Sequence, residues 1–357
     1  MTGLYILSGA LLLDILLGEA PNRFHPVAWL GKLISLQLRL TPRTGNIRRF
    51  ICGMAMVILT TVMITIPLYF LKCHCEAEGR GNLSVGGVMP QDCFVACGLL
   101  ATTFLGGEAA AAAAADYFYT GYLQNLNTIA CVLFSIYLLK NTFSLRGLWQ
   151  AVEKVKLSLG SNDLDEARRH ATALVSRDTA NLTQARLMSA TIESCAENLC
   201  DSFVAPLFYF AVFGLPGAVA YRIVNTFDAM IGFHGKWEYT GKFAARLDDI
   251  LNFIPARLSA LLIIMASAIC RAGAGRGWQT MLKQHSLTES PNAGWTMSAM
   301  AGALGIILDK AGAYTLGSHK NELTTAAIGQ SQAILLTAAS IWGIIAIAKE
   351  ALVNVAG

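Results

Sequence analysis

The chain has 357 residues, 54% of them hydrophobic and only 14% charged, with a mean hydropathy of +0.50. Soluble domains carry roughly 25% charged residues, so this composition excludes an ordinary cytosolic globule, and its hydrophobicity excludes disorder. A net charge of +4 spread along the chain excludes a nucleic-acid footprint and suits a membrane protein with Lys and Arg in its cytoplasmic loops.

Leu4–Leu17 is a first apolar segment, interrupted by Asp14. With no basic leader and no small-residue cleavage site, it does not read as a signal peptide. Asp14, Asn22, Arg23, His25 and Pro26 cluster where this segment ends. Phe50–Leu71 is the clearest span, 22 residues without a charge, enough to cross the hydrocarbon core. Cys93–Leu105 is apolar and runs through Glu108 into Ala109–Ala115, a strong helix former. Ala333–Ala348 is a last uncharged segment. Ile129–Leu139 and Leu258–Cys270 are too short to span, and Phe203–Ala220 is broken by Pro206, Gly214, Pro216 and Gly217. These three read as buried or re-entrant helices.

Between the first two segments, Arg23, Lys32, Arg39, Arg43, Arg48 and Arg49 face a single acid, Glu19, which predicts a cytoplasmic loop. Four full spans then divide one membrane-embedded unit into N-terminal membrane segments (1–115), a cytoplasm-facing catalytic region (116–332) and a C-terminal membrane segment (333–357). Within the middle region Ser144–Val175 reads as a helical pair. Asp163, three residues before Glu166, forms a capping-box pattern. Alternating patterns are scarce, so the predicted fold is all-α: a polytopic helical integral membrane protein with about four spans, short buried or re-entrant helices and a cytoplasmic helical body.

The nine cysteines form no disulfide framework. Cys73-His74-Cys75 with Cys93 and Cys97 holds metal-capable side chains, but the spacing matches no zinc finger, and reduced apolar cysteines are the expectation. No P-loop, G-x-S-x-G or H-E-x-x-H motif is present. Gly273-Ala-Gly275-Arg-Gly277 follows no strand and reads as a loop.

The polar residues within apolar sequence carry more information. Ser176-Arg177-Asp178-Thr179-Ala180-Asn181 precedes a helix that Asp178 or Thr179 can cap. Glu193, Glu197 and Asp201 are spaced i, i+4, i+8, which sets three carboxylates along one helical face ahead of an apolar run. Like charges at that spacing repel unless a cation compensates, and oxygen ligands beside a hydrophobic wall suit Mg²⁺ with a phosphate. Asn198/Asp201, Asn225/Asp228 and Asp249/Asn252 form three Asn–Asp pairs. Arg246, Asp249 and Asn252 share a face, with Asp248 adjacent. Burying so many polar groups is costly, which points to a convergent site. Ser290-Pro-Asn-Ala-Gly-Trp295 is a turn into the small-residue helix Met297–Gly305, either a plain turn or an anion site. The residues alone therefore reach a membrane-embedded carboxylate site for a phosphorylated or cationic ligand.

In their order along nearly the whole chain, these islands resemble the adenosylcobinamide-phosphate synthase family. The resemblance rests on Leu-Leu-Asp14-Ile-Leu-Leu-Gly18-Glu-Ala-Pro21 with His25-Pro26-Val27, on Arg177-Asp178-Thr179, and on the Glu193–Tyr209 block (E-x3-E-N-x2-D-x3-A-P-L-F-Y). It continues through Asn225-Thr-Phe-Asp228 to Gly232, Ala245–Arg257 and Ser290–Trp295. Ser176, Ser202 and Thr296 depart from the family's Gly, Gly and Pro. The resemblance implies an enzyme of cobalamin biosynthesis in the cell membrane, its active site facing the cytoplasm. Its reaction is ATP-dependent amide formation between a propionate carboxylate of adenosylcobyric acid and (R)-1-amino-2-propanol or its O-phosphate. ATP use proceeds most simply through an acyl phosphate that the neutral amine attacks. Mg²⁺ is the expected cofactor and ATP a co-substrate; the cobalt arrives with the substrate and needs no protein ligand.

On that reading Glu193, Glu197, Asp201 and Asp248 are the expected Mg²⁺ ligands. The catalytic set is Arg177, Asp178, Glu193, Glu197, Asn198, Asp228, Arg246 and Asp249. His25, Thr179, Asn181, Asn225, Asn252, Arg257, Asn292 and Trp295 contact substrate, and Arg177, Arg246 and Arg257 clamp phosphate. The rival enzyme reading is a UbiA-type membrane prenyltransferase using Mg-diphosphate, in which the Arg177–Thr179 and Ser290–Trp295 islands have no place. A transporter with intramembrane carboxylates would show inverted repeats, and none are evident.

Overall fold

The computed structural model of the chain describes residues 2–78, 122–175 and 179–356, apart from 20, 22, 43, 234 and 319. Cys93–Leu105, the alanine run and the Cys93/Cys97 half of the cysteine cluster lie outside the described residues. The helices are α1 (Thr2–Leu17), α2 (Pro26–Leu38), α3 (Asn46–Glu78), α4 (Tyr122–Lys140), α5 (Leu145–Gly160), α6 (Leu164–Ala171) and α7 (Gln184–Leu199). A π-helical turn (Cys200–Val204) leads into α8 (Ala205–Phe213), α9 (Leu215–Ile231), α10 (Glu238–Leu251), α11 (Phe253–Ile269), α12 (Ala274–Gln284) and α13 (Ala293–Leu304). A two-stranded antiparallel hairpin, β1 (Ile307–Lys310) and β2 (Tyr314–Gly317), precedes α14 (Thr325–Ala356). Among the described residues the fold is all-α apart from this hairpin.

Helix α7 is the centre. Leu187 through Ala196 are all buried, and α5, α13, α14 and β1 pack around it. Ser189, Ala190, Ser194, Cys195 and Ala196 are small, so neighbouring backbones can approach on every side, and a helix without a solvent face belongs in a core. A second apolar cluster joins α2 and α3 to Ile223, Val224, Phe227 and Ile231 of α9 and to Ala244 of α10. Helix α9 thus holds both halves together. As the sequence predicts, Asp163 caps α6, accepting from the Glu166 N–H at 2.9 Å.

Two prolines set the breaks that matter. Pro206 has no N–H for the carbonyl four residues back, at Ser202. That oxygen instead accepts from the backbone N–H of Ser144 at 2.9 Å, as an uncapped buried carbonyl requires. Pro255 likewise frees the carbonyl of Leu251, which accepts from the Tyr209 hydroxyl at 2.9 Å. Helices α10 and α11 meet there at a 50° bend. Asp14, the charge inside α1, is buried and ion-paired to the equally buried Lys140 of α4 at 3.1 Å. Arg146 closes the C-terminus of α1, donating to the Ile15 and Leu16 carbonyls at 2.7 Å each.

Among the described residues, three stretches are long and apolar enough to cross a membrane: Asn46–Leu71, Thr128–Gly160 and Thr325–Val355. The bent pair Glu238–Leu251 and Phe253–Ile269 makes up to four. Phe50–Leu71 and Ala333–Ala348 of the sequence reading are among them, the stretch from Cys93 lies outside the described residues, and Thr128–Gly160 and the bent pair were not predicted as spans. Ile129–Leu139 is not too short, because flanking polar residues remain helical and extend it. Leu258–Cys270 is the second half of the bent pair. The described part of the region 116–332 therefore contains apolar stretches long enough to cross a membrane. The first segment forms a helix of 16 residues, about 24 Å long at 1.5 Å per residue, shorter than the roughly 30 Å hydrocarbon core. Phe203–Ala220 is two helices broken at Gly214 (φ +73°).

Close helix approach makes two glycines obligatory. A Cβ on Gly53 of α3 would collide with the Thr240 carbonyl oxygen, and one on Gly241 of α10 with that of Ile231. Overpacking of this kind costs about 1–3 kcal/mol. Gly53→Ala and Gly241→Ala should each lower the thermal midpoint in detergent, whereas Gly160→Ala, whose Cβ meets nothing, should not. A wild-type midpoint for Gly241→Ala would refute the α9–α10 packing.

Candidate active site

The end of α7, the π-turn, the end of α9, most of α10 and the start of α13 enclose a cavity of about 470 Å³. Seven carboxylates line it: Glu197, Asp201, Asp228, Glu238, Asp248, Asp249 and Glu289. Among the described residues, the only cationic side chains on its wall are Lys242 and Arg246. Arg246 is three-quarters exposed and lies 3.5 Å from Asp249, a pair that contributes little in water. Among the described residues the wall therefore carries an excess of acidic side chains.

The buried end of the cluster is held by neutral donors. Asn225 Nδ2 donates to Asp248 Oδ1 at 3.3 Å, and Asn252 Nδ2 donates to Oδ2 at 2.9 Å. Each amide is itself oriented: the Tyr221 hydroxyl donates to Asn252 Oδ1 at 2.9 Å and Arg222 Nη1 to Asn225 Oδ1 at 3.3 Å. The asparagines of two of the predicted Asn–Asp pairs, Asn225 and Asn252, thus converge across helices on Asp248, which belongs to neither pair. Asn252 sits at the bend, ending α10 and opening α11.

Glu197, Asp201 and Asp228, which lie outside the candidate spans, respond to burial and mutual repulsion. Burial, then Glu193, raises the Glu197 carboxyl. Burial, then Asp248, raises that of Asp201 well above the usual range. Asp228 is pushed up to about 7, by burial first and then by Asp248 and Asp249. A side chain on Gly232 would strike the Asp228 carboxylate, so the glycine keeps that group free to face the cavity.

Of the predicted residues, Glu197, Asp201, Asp228, Arg246, Asp248, Asp249, Asn252 and Asn292 line the cavity, and Asn225 supports it from behind. Asn292 donates to the Asp249 carbonyl at 2.8 Å and accepts from Arg257 at 3.4 Å. Arg257 lies over Phe253 and over Trp295, which stacks on His285 at 4.0 Å between centroids. The predicted carboxylate ridge divides. Four residues of α-helix rotate a side chain by about 40° from its starting direction, and Glu193 faces away from the cavity, accepting from Ser189 at 2.6 Å and Tyr314 at 3.0 Å. Asn198 bonds within α7, to Ser194. Thr179 donates to the Arg168 carbonyl, Asn181 is exposed, and His25 opens α2; none of these lines the cavity. Burial lowers the His25 pKa, and the charges around it are Glu19, Arg222 and Lys140. Arg177 and Asp178 lie outside the described residues.

Sequence reasoning missed Cys200, Glu238, Lys242 and Glu289 on the wall, and Tyr221 and Arg222 behind it. Tyr221 and Arg222 could have been found, since they stand one turn before Asn225. The others carry no local signal.

The donor set is oxygen-rich and suits a hard cation. Among the described residues no three His, Cys, Asp or Glu side chains gather closely enough to hold a metal alone. A cation held here would have to bring phosphate and water as most of its ligands; Glu197, Asp201 and Asp248 are the predicted donors on the wall, and Glu193 lies outside it.

The sequence model of the CobD/Cbib protein family matches residues 7–108 and 90–341. The chain is 40% identical to the cobalamin biosynthesis protein CobD of Dehalococcoides mccartyi, over 95% of this chain and 94% of that one. It is 37% identical to the probable cobalamin biosynthesis protein CobD of Pyrococcus abyssi (88% and 86% covered). With that of Methanothermobacter thermautotrophicus it shares 34% (89% and 88%). No solved structure matches. Matching over most of its length, and with relatives above 30% identity, the chain belongs to the CobD/Cbib protein family.

Proposed function

We propose that the protein acts in cobalamin biosynthesis, as the names of its relatives say of them, and that it is an ATP-dependent acid–amine ligase. It joins aminopropanol or its phosphate to a propionate of adenosylcobyric acid. The observation that carries this reading is the cavity wall, seven carboxylates against two cations. Such a wall attracts an ammonium nucleophile and a metal-bound phosphate and repels a bare anion. At about 470 Å³ the cavity has the size of a small-molecule site. It takes the reacting ends, and the corrin body stays at the mouth, beside the half-exposed Phe233.

In this mechanism Glu197, Asp201 and Asp248 would hold Mg²⁺, which when bound neutralises phosphate oxygens. Asp228, with its pKa near 7, takes the proton that the ammonium must lose before it can attack. Asn225 and Asn252 keep Asp248 an acceptor. Arg246 and Lys242 at the rim meet phosphate, and Arg257 orients Asn292. Because ATP is cytoplasmic, the cavity opens to the cytoplasm.

Purified protein in detergent, given adenosylcobyric acid, Mg-ATP and each amine in turn, should yield a corrinoid heavier by one amide-linked amine. Absence of product with both amines and intact corrinoid binding would refute ligation by the chain alone. Glu197→Ala and Asp249→Ala should abolish product while leaving the protein in the membrane; wild-type turnover would overturn the site.

Asp228 gives a pH prediction. Its folded pKa near 7 lies above the unfolded value, so the fold binds a proton that the unfolded chain has released. Stability from this group is complete below about pH 4 and falls as pH rises toward 7. Asp228→Asn should raise the thermal midpoint at pH 7.5, flatten its decline between pH 5 and 7, and abolish ligation. A lower midpoint would show that Asp228 is a structural residue.

A further inference from the structure

The Asp14–Pro21 island stands out in the sequence, yet none of its described residues lines the cavity. Its place is at the break between α4 and α5, residues 141–144, inside the apolar stretch Thr128–Gly160. Sharp breaks usually come from proline or glycine, and Lys140-Asn-Thr-Phe-Ser144 contains neither. Neighbouring elements therefore hold the helix open.

On the α4 side, the Asn141 amide and the Thr142 hydroxyl donate to the Tyr137 and Leu139 carbonyls, each at 2.7 Å. On the α5 side, Ser144 stands at the N-cap, but its hydroxyl donates to Glu19 at 2.7 Å and not to its own helix. A Cβ on Gly147 would strike both of those groups. The cap comes instead from α1. Asp14 Oδ2 accepts from the Arg146 N–H, at the second residue of α5, at 3.1 Å, while Oδ1 pairs with Lys140 at the end of α4. Arg146 returns the contact by closing the C-terminus of α1 through the Ile15 and Leu16 carbonyls. Each charge stands at the helix end whose dipole it opposes: the acid at the N-terminus of α5, the cations at the C-termini of α1 and α4.

This reciprocal cap reaches the cavity. The Ser144 N–H is the donor that satisfies the Ser202 carbonyl freed by Pro206, and Cys200 and Asp201, immediately before it, lie on the wall. A carbonyl left without a donor there is costly, so the π-turn depends on where α5 begins. We infer that Asp14 is a positioning residue of the site: its cap with Arg146 fixes the start of α5, and with it the Ser144 N–H that holds the turn bearing Asp201. The effect on the turn follows from geometry alone; the effect on turnover rests on the ligase reading.

Cys200 reports the turn. It is 3% exposed, and burial pushes its thiol well above the usual range, so N-ethylmaleimide should label it slowly. Exposed Cys270, after α11, is the internal reference. Asp14→Ala alone would leave Lys140 buried and unpaired, which endangers folding, so Lys140→Met accompanies it. In the full-length protein in detergent, peptide mass mapping should find Cys200 labelled about fivefold faster, relative to Cys270, in Asp14→Ala/Lys140→Met than in the wild type. Asp14→Asn/Lys140→Met keeps an acceptor for the Arg146 N–H and should label at the wild-type rate. Arg146→Gln, which leaves both buried charges in place, should also speed Cys200. Ligation should fall about tenfold in the alanine double variant and be retained in the asparagine one. Wild-type labelling in both Asp14→Ala/Lys140→Met and Arg146→Gln, or equal labelling in the two double variants, would overturn the proposal. The expected labelling pattern in a protein that makes no amide would overturn the ligase reading alone.

Discussion

Asp248 receives one amide hydrogen on each carboxylate oxygen, from Asn225 of α9 and Asn252 at the α10–α11 bend. Much of the site depends on that arrangement. Seven carboxylates around one small cavity cannot all be ionised in a poorly solvated wall, and salt bridges to each would neutralise the surface that recognises ligand. Neutral amide donors hold one charge without cancelling it. The remaining strain falls on groups such as Asp228, which retain a proton near neutrality. Opposed environments for neighbouring carboxylates are what separates a proton acceptor from a fixed anion.

That geometry requires helices to break where apolar sequence would otherwise run straight, and each break needs a partner for a freed carbonyl. Ser144 supplies it at Ser202, and the Tyr209 hydroxyl at Leu251. Irregular backbone among membrane segments persists only where protein satisfies it. The Pro206 and Pro255 breaks are thus anchored by distant elements: α8 is tied to the start of α5, and the α10–α11 bend to α8. The same economy of space acts at Gly53 and Gly241, where backbone meets backbone.

Glu193 shows how spacing can mislead. Its i, i+4, i+8 register with Glu197 and Asp201 is real, but α-helical drift turns it toward Tyr314, a residue more than a hundred positions away. Buried there, it lies off the cavity wall. Asn198 is similar, spaced as though for the site but bonded back to Ser194 on its own helix. Conversely, Glu238, Lys242 and Glu289 reach the wall from helix ends and a loop whose local sequence carries no sign of it.

The sequence by itself determined the membrane character, the helical class, the capping of α6 and the convergence of Asn225, Asp228, Asp248, Asp249 and Asn252 around one cavity. Composition, periodicity and polar residues in apolar surroundings are local properties, and each carries its own energetic cost. Which apolar stretches are long enough to cross, which carboxylates face the cavity, and which amide meets Asp248 were decided only by tertiary structure. Those outcomes depend on helix ends, on the bend at Asn252 and on contacts such as Tyr209 with Leu251, separated by some forty residues, and no local pattern encodes a partner at that distance.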